Sequence, residues 1–369
     1  KLDKQGDLTI NTPTGDFKEL RPVSWQIING KKIPVDVQYA LIDKTTYGYK
    51  INGSYNPDYD LIVDPITLVW ASYLIRPNSS LASMSGTDAY VLDIDIDDLT
   101  GIPFICGYTA EQADKMPTTV GAYDTLCNSS VGYSPFSQTD CDWDTNFDDV
   151  LKTWSQVGDA FIAKMSADGH QLLWCTLLGT ENNGEQAYGI ALLQDGNANP
   201  KVAVAGLTLS SDFPTTSGCY DNSYGGNTDA FVSILNNNGN QLLRSTYLGG
   251  ANRDQAFDLE YKAGKLYLCG TAGSGFPTTA GASQTTFGAG SIDAFAAIFD
   301  TTLTGAASLQ ASTFYGGSDC DNAFALEVNA SGQVFITGVT ESTNLPGVSG
   351  FFDATSNGGI DGFVVKFNA

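Results

Sequence analysis

Gly206-Leu-Thr-Leu-Ser-Ser-Asp-Phe-Pro-Thr-Thr216 is followed by Thr228-Asp-Ala-Phe-Val232 and by Arg244-Ser-Thr-Tyr-Leu-Gly-Gly250. This line of residues recurs four times along the chain. The Asp before the aromatic residue returns at spacings of 70, 64 and 68 residues, as Asp159, Asp229, Asp293 and Asp361. A period this long, filled with short apolar runs and turn residues, is typical of an array of identical supersecondary units.

Each unit contains four short candidate strands. In the second unit they are residues 188–193, 201–206, 229–235 and 241–248, separated by clusters of Asn, Asp, Gly and Pro. Such clusters favour tight turns, so the unit is predicted to be a four-stranded antiparallel meander. One such sheet leaves both faces in water, and radial packing of copies is the usual all-β solution. The predicted fold is therefore an all-β propeller of four four-stranded blades.

The strand count predicts how the ring closes. The fourth unit ends one strand short, after residues 361–367. A sequence equivalent to the missing strand lies ahead of the first unit, at Leu68-Val-Trp-Ala-Ser-Tyr-Leu74. Pairing this strand with the last blade removes two open edges, so we expect closure by residues 68–74. A longer parent protein with more units, cut at Ala369, is the competing account.

Residues 1–66 are predicted to form a small separate β domain, and residues 67–369 the propeller. Turn signals at Asn29-Gly30 and Asn52-Gly53 separate alternating segments in the first part, and Asn-Gly is a strong hairpin signal. The chain opens in the middle of a pattern at Lys1. This indicates that an earlier segment was removed or is missing, so the small domain is expected to be truncated at its start.

At this point the repeat resembles a known family. The segments Ser245-Thr-Tyr-Leu-Gly-Gly250, Phe276-Pro-Thr-Thr279 and Val334-Phe-Ile-Thr-Gly338 look like the bacterial SBBP-type β-propeller repeat, over roughly residues 68–369. Residues 6–65 are similar to the end of the β-rich domain that often precedes these repeats. The resemblance implies a secreted or cell-surface bacterial protein, of a kind frequent in gliding bacteria that use type IX secretion. It leaves the biochemical activity open.

The amino-acid composition limits the classes of partner that the chain can bind. The formal charge is −23 and the pI is near 4.1, with only 16% of residues charged. Nucleic-acid phosphates demand Lys and Arg, so this balance excludes nucleic acid as a partner. No apolar run approaches the roughly 18 residues that a membrane span needs.

The first unit carries an insertion at about residues 128–156. It places five aromatic residues among acids: Tyr133, Phe136, Trp143, Phe147 and Trp154. Long loops on rigid scaffolds commonly bind ligands, and such rings stack on sugars or anchor partner proteins. The alternative is a lid whose aromatic residues pack on the neighbouring domain.

Two acidic runs are candidate calcium sites. Within the insertion, Asp142, Asp144, Asn146 and Asp148 place oxygen ligands at alternate positions, as the first half of a calcium loop does. The central Gly and the distal Glu of an EF-hand are missing. The second run alternates along the first strand of the first unit, at Asp93, Asp95 and Asp97. For both runs the alternative is a solvated acidic face.

The seven cysteines divide by position. Cys127 and Cys141 flank a loop of about 15 residues in the insertion, and a disulfide there would contribute roughly 3 kcal/mol. Cys106, Cys175 and Cys269 occupy positions where other units have small residues, so buried strand thiols are expected. The odd total leaves at least one cysteine free or bonded outside the chain.

The sequence offers little support for catalysis. Asp159, Asp229, Asp293 and Asp361 recur once per unit, which favours a structural role such as accepting backbone N–H bonds in a turn. His170, the only histidine, lies in a predicted hairpin turn. We therefore expect a non-enzymatic surface module that binds a protein or glycan or serves in a larger assembly. The alternative is a carbohydrate-active enzyme, a glycosidase or lyase with a carboxylate site at the propeller mouth.

Overall fold

The structure is a computed structural model. It describes residues 1–4, 6–12, 15–19, 21–43, 46–64, 71–72, 74, 89–110, 117–125, 157–180, 184–194, 196 and 199–368. Contacts divide the chain into two compact units, residues 1–71 and residues 72–369. Among the described residues the regular structure is β, with one 3-10 turn at Gly305–Ser308 and no α-helix.

Unit 1 contains three small antiparallel sheets, and its buried apolar residues include Leu8, Val37 and Tyr39. The strands are β1 (Leu8–Thr12), β2 (Gly15–Glu19), β3 (Val23–Ile28), β4 (Lys31–Pro34), β5 (Val37–Leu41), β6 (Tyr47–Ile51) and β7 (Leu61–Asp64). β1 pairs with β2, β3 with both β4 and β7, and β5 with β6. β3 and β4 are joined by Asn29 and Gly30 at φ 52° and 75°, the positive values that a tight hairpin turn requires.

Unit 2 contains four antiparallel meanders, named sheets 1 to 4 in chain order. Sheet 1 is β8 (Ala89–Asp97), β9 (Ile102–Ala110), β10 (Val157–Met165) and β11 (Leu172–Leu178). Sheet 2 is β12 (Glu185–Leu193), β13 (Lys201–Thr208), β14 (Asp229–Leu235) and β15 (Leu242–Leu248). Sheet 3 is β16 (Asp254–Lys262), β17 (Lys265–Ala272), β18 (Asp293–Asp300) and β19 (Leu309–Tyr315). Sheet 4 is β20 (Asp321–Val328), β21 (Gln333–Thr340) and β22 (Asp361–Asn368).

The all-β class is confirmed for the described residues. The predicted four-stranded meander is confirmed in sheets 1 to 3. Sheet 4 has three described strands, as the strand count predicted. The expected closing strand lies largely outside the described residues, and its described members Ala71, Ser72 and Leu74 belong to no strand. Closure by residues 68–74 therefore stays a prediction.

The repeated glycine of the second strand has a steric cause. Opposite it the first strand bulges by one residue, at Leu92, Tyr188, Phe257 and Phe324. The bulge brings a carbonyl oxygen against the glycine Cα. A Cβ on Gly206 would lie 1.8 Å from the Gln186 oxygen, and one on Gly270 would lie 1.9 Å from the Gln255 oxygen. Only glycine fits at these positions.

The Pro-Thr-Thr motif fastens a loop to the fourth strand. In sheet 2, the Thr216 hydroxyl accepts the Ser245 N–H at 3.0 Å, and the Thr216 N–H donates to the Ser245 carbonyl at 3.1 Å. Thr279 makes the same pair of bonds with Ser312 in sheet 3, at 2.9 and 3.0 Å. In sheet 4 the corresponding residue is Val348, which has no hydroxyl.

Consecutive sheets pack face to face. The forward face of a sheet packs on the next sheet, and the backward face packs on the previous one. Forward-face residues Cys106 and Ile162 of sheet 1 share a buried cluster with backward-face residues Ile190 and Phe231 of sheet 2. Corresponding clusters join sheet 2 to sheet 3 and sheet 3 to sheet 4. Among the described strands, extensive contacts join β8 to β12, β12 to β16 and β16 to β20, but not β20 to β8.

Candidate functional site

The first strands of all four sheets line one cavity of about 550 Å³, named here the first-strand cavity. Its walls come from β8 and its following turn, β12, β16 with its turn, and β20. Of the described residues, six carboxylate side chains and one lysine line it: Asp93, Asp95, Asp98, Asp258, Glu260, Glu327 and Lys262. The cavity is therefore strongly acidic.

Two of these acids tie sheet 1 to sheet 2. Asp93 Oδ2 accepts the Ile190 N–H at 2.8 Å, and Asp95 Oδ2 accepts the Leu192 N–H at 2.7 Å. The Oδ1 atom of each acid accepts the N–H of the next residue in its own strand, at 2.8 and 2.7 Å. Charge-assisted bonds of this kind are stronger than neutral ones, so the two carboxylates act as clamps between neighbouring first strands.

The same clamp recurs between sheets 3 and 4. Asp258 Oδ2 accepts the Leu326 N–H at 2.7 Å, and Glu260 Oε2 accepts the Val328 N–H at 2.6 Å. Between sheets 2 and 3 the corresponding residues are small, Gly189 and Ala191. A Cβ on Gly189 would lie 2.9 Å from the Leu259 N atom. Close backbone approach replaces the acid clamp at that junction.

Burial raises the pKa of all four clamp carboxyls. Desolvation is the main cause in each, and the backbone N–H bonds oppose it. Neighbouring acids raise these pKa values further, as Asp258 does for Asp93 and Glu327 does for Glu260. The Lys262 Nζ atom donates to the Val328 carbonyl and lies 3.9 Å from Glu260 Oε1. One lysine leaves a large excess of negative charge in the cavity.

The three acids of the predicted calcium run on the first strand have different surroundings in the structure. Asp93 and Asp95 line the cavity, but Asp97 does not. Asp97 is 3% exposed, and its carboxylate accepts the Leu99 N–H at 3.0 Å and the Thr100 hydroxyl. Asp97 thus holds the turn after β8. A cation in the cavity would have to use the oxygen lone pairs that the clamps leave over.

An aromatic row that the sequence analysis missed lies at the bulges. Tyr188 and Phe257 have ring centroids 5.2 Å apart, and Phe257 and Phe324 have centroids 5.6 Å apart. These bulge residues come from the first strands of sheets 2, 3 and 4. The available signal was an aromatic residue directly after the recurrent Ala187, Ala256 and Ala323.

A second set of acids forms buried pairs at the sheet junctions. The recurrent Asp at the start of the third strand faces an acid that begins the next sheet. The pairs are Asp159 with Glu185, Asp229 with Asp254, and Asp293 with Asp321, and all six residues are at most 1% exposed. Between the members of each pair lies a glycine: a Cβ on Gly249 would lie 3.0 Å from Asp229 Oδ1 and 2.9 Å from Asp254 Oδ2.

Backbone N–H groups hold one side of the Asp229 and Asp293 carboxyls. The Gly225 N–H donates to Asp229 Oδ2 at 2.8 Å, and the Gly288 N–H donates to Asp293 Oδ2 at 2.8 Å. In both cases the Asp side chain accepts a backbone N–H from the turn that precedes its strand, as the sequence predicts for the recurrent Asp. In the fourth unit, Asn357 N–H donates to Asp361 Oδ2 at 2.9 Å. The Oδ1 atoms of Asp229, Asp293 and Asp321 are buried and accept no hydrogen bond from the described part of the chain.

Burial raises the pKa of these paired acids strongly. Desolvation, ahead of the repulsion from the facing carboxyl, raises the pKa of Glu185 and of Asp254 to about 8. The pKa of Asp229 and of Asp293 is raised to about 7, with desolvation again the main cause. Groups with such values hold a proton in the folded protein at mildly acidic pH.

The predicted insertion site lies outside the described residues. This applies to Tyr133, Phe136, Trp143, Phe147 and Trp154 and to the acidic run Asp142, Asp144, Asn146 and Asp148. His170 is described and lies exposed in a turn, with Nδ1 3.5 Å from Asp168 Oδ2. No histidine therefore lies near either group of buried acids.

The described cysteines behave in two ways. Cys106, Cys175 and Cys269 are buried free thiols, and Cys219 is a half-buried free thiol.

Cys320 is disulfide-bonded, so its sulfur is not a thiolate ligand for a cation beside Asp319 and Glu341. Its partner lies outside the described residues, where the sequence has Cys127 and Cys141. The predicted Cys127–Cys141 disulfide also lies outside the described residues.

A comparison with known protein families matches the first unit. Residues 1–66 match the family model of a domain of unknown function, DUF7948. No curated protein matches the chain. The described residues include no helix long and apolar enough to cross a membrane. Sheets 1 to 4, which carry both groups of acids, lie outside the family match.

Proposed function

We propose that the chain is a non-enzymatic β-propeller module of an exported or cell-surface protein, and that it binds a protein or glycan partner or serves in a larger assembly. Sheets 1 to 4 would be the blades. Three features support this arrangement: the cavity shared by the four first strands, the bulge in each first strand, and the face-to-face clusters. The SBBP-like motifs support the bacterial surface location. Closure of the ring by residues 68–74 remains part of the proposal.

The acidity of the first-strand cavity carries the binding hypothesis. A concave site lined by one sign of charge concentrates ligands of the opposite sign. The clamp acids already accept backbone N–H bonds, so Asp98 and Glu327 are the exposed carboxylates that remain most available to a ligand. The expected partner is therefore a protein segment rich in Lys and Arg.

Fluorescence anisotropy with a labelled seven-lysine peptide tests this proposal. At 50 mM NaCl, replacing Asp98→Asn together with Glu327→Gln should weaken binding about 3- to 10-fold, and 300 mM NaCl should weaken it further. The matched control removes two exposed carboxylates in unit 1, with Asp58→Asn and Asp60→Asn. Equal loss in both double variants would show attraction to overall charge, and absence of binding would reject the cavity as a basic-peptide site.

One observation favours a second candidate, a carbohydrate-active enzyme. The cavity brings together carboxyls with raised pKa values, which a general acid in glycoside hydrolysis requires. Against this, Asp93, Asp95 and Asp258 have both oxygens bonded to backbone N–H groups, which fixes them as clamps. Release of reducing ends or unsaturated products from a glycan panel, abolished in a folded Asp258→Asn variant, would establish the enzyme instead.

A further inference from the structure

A half-buried lysine lies at an otherwise apolar position of the interface between sheets 1 and 2. Lys164 on β10 pairs with Phe104 on one side and with Trp174 on the other, so the three side chains share the forward face of sheet 1. Phe104 and Trp174 belong to the buried cluster between the two sheets. The equivalent residues of sheets 2 and 3 are Ile234 and Ile298. A lysine is costly at such a position unless its amine has a polar partner.

The polar partner of Lys164 is Asn237, in the turn between β14 and β15 of sheet 2. The Lys164 Nζ atom donates to Asn237 Oδ1 at 2.7 Å. The Asn237 Nδ2 atom donates to the Pro200 carbonyl at 2.9 Å. The Asn237 backbone carbonyl accepts the Trp174 Nε1–H at 2.8 Å. These bonds fix the amide with its carbonyl group turned towards the amine.

The contact also brings the amine close to the amide carbon. Because an amide C=O bond is about 1.23 Å long, Lys164 Nζ lies within about 3.9 Å of Asn237 Cγ. An amine and an amide react very slowly when they meet by diffusion. Holding the two groups in lasting contact removes the entropic part of that barrier, so the folded chain favours a reaction that free side chains do not undergo.

The surroundings of the amine favour its uncharged form. Burial lowers the pKa of Lys164, and the negative charge of Asp97 opposes this shift. The Lys164 Nζ atom lies 4.8 Å from the centroid of the fully buried Phe104 ring, which keeps water from that side of the amine. A lysine amine in such a desolvated place is a nucleophile. The Asp97 carboxylate, which is 3% exposed, stabilises the positive charge that forms on the nitrogen as it attacks.

We propose that Lys164 and Asn237 join in an isopeptide bond that links sheet 1 covalently to sheet 2. The lone pair of the uncharged Nζ attacks Cγ, the Nζ–Cγ bond forms, and the Cγ–Nδ2 bond breaks. One Nζ proton passes to Nδ2, which leaves as ammonia. Atoms and electrons balance without a further reactant. The inference does not depend on what the first-strand cavity binds.

The bond would act as a permanent fastening between two neighbouring sheets. Its two residues are 73 positions apart in the chain, so the cross-link would restrict the unfolded chain as a disulfide of that span does. Unlike the disulfide of Cys320, it would persist under reducing conditions. The equivalent lysine of sheet 4, Lys366, is exposed and offers a matched control.

Mass spectrometry of the intact, reduced chain tests the proposal. The wild type should be lighter than its sequence by the mass of one ammonia molecule. Lys164→Met keeps an unbranched apolar side chain at the position and should restore the full sequence mass, and Asn237→Ala should do the same. Lys366→Met makes the same change at the exposed equivalent and should keep the deficit.

Tryptic mapping of the wild type locates the bond. Trypsin should not cleave after Lys164, and one branched peptide should carry both Lys164 and Asn237. Full sequence mass in the folded wild type, with cleavage after Lys164, would overturn the proposal. A deficit that persists in Lys164→Met would overturn it as well, because the ammonia would then come from an asparagine that cyclises on its own backbone, as at Asn238-Gly239.

Discussion

The buried acid pairs make the free energy of unfolding of unit 2 depend on pH, and the variant Asp254→Asn tests this dependence. The Asp254 carboxyl is fully buried and faces Asp229 across Gly249. Its pKa in the folded protein is raised to about 8, mainly by desolvation, whereas an unfolded Asp titrates near 4. Between these values the folded state binds a proton that the unfolded chain has released.

The sign and magnitude follow from proton linkage. Raising the pH from about 4 to about 8 favours the unfolded chain, so the free energy of unfolding falls across this window. One proton corresponds to about 1.4 kcal/mol per pH unit. Three junctions carry such pairs, and each should contribute a slope of this order while one of its two carboxyls stays protonated.

Asp254→Asn should remove one proton from this linkage. The amide keeps the shape, but it can no longer accept both the Gly250 N–H at 2.6 Å and the Gly273 N–H at 3.0 Å. At pH 5 the variant should therefore be about 1–2 kcal/mol less stable than wild type. Because its slope is shallower by about 1.4 kcal/mol per pH unit, the two stability curves should cross between about pH 5.7 and 6.4.

Urea unfolding followed by tryptophan fluorescence at pH 5, 6, 7 and 8 measures this crossing. Trp174 is 7% exposed and packs in the cluster between sheets 1 and 2, so it reports on unit 2. Asp98→Asn makes the same chemical change at an exposed acid and should leave the slope unchanged. A wild type that gains stability from pH 5 to 8, or parallel curves for wild type and Asp254→Asn, would refute the reasoning. A slope that calcium removes and chelator restores would assign neutralisation to a cation instead.

Three further outcomes follow from the fold. Gly270→Ala should lower the free energy of unfolding by about 3 kcal/mol or more in urea titrations, because its Cβ would lie 1.9 Å from a carbonyl oxygen. Thr216→Val should cost about 1 kcal/mol in the same assay, since it removes the hydroxyl that binds Ser245. Peptide mapping without reduction should recover Cys320 linked to a peptide from the insertion; free Cys320 would contradict the disulfide.

The sequence predicted the repeat and its strands because both are local patterns. The 64- to 70-residue period, the turn clusters and the recurrent Gly206 and Gly338 are properties of neighbouring residues in the chain. The reasons for the motifs were not local. Gly206 is required by a bulge in the adjacent strand, and Thr216 by a backbone group 29 residues away.

The buried acid pairs escaped the sequence analysis for a related reason. Asp229 was recognised as a repeated residue of its own strand, and its turn bond to Gly225 needs only that strand. Its partner Asp254 begins the next sheet. The signal was present, because Glu185, Asp254 and Asp321 each follow the turn after a fourth strand, but only the packing of consecutive sheets places the two acids together.

The acidity of the first-strand cavity is tied to the way the sheets join. Asp93 and Asp95 line the cavity because they bind N–H groups of β12, and Asp258 binds β20 in the same way. Removing one of these acids would change sheet contacts and cavity charge together. Asp98 and Glu327 are exposed in the same cavity, and neither carboxylate forms a clamp between described strands. Variants at these two residues therefore separate ligand attraction from the assembly of the sheets, and a binding defect seen only in the clamp variants would mean that the cavity's charge is a by-product of its architecture.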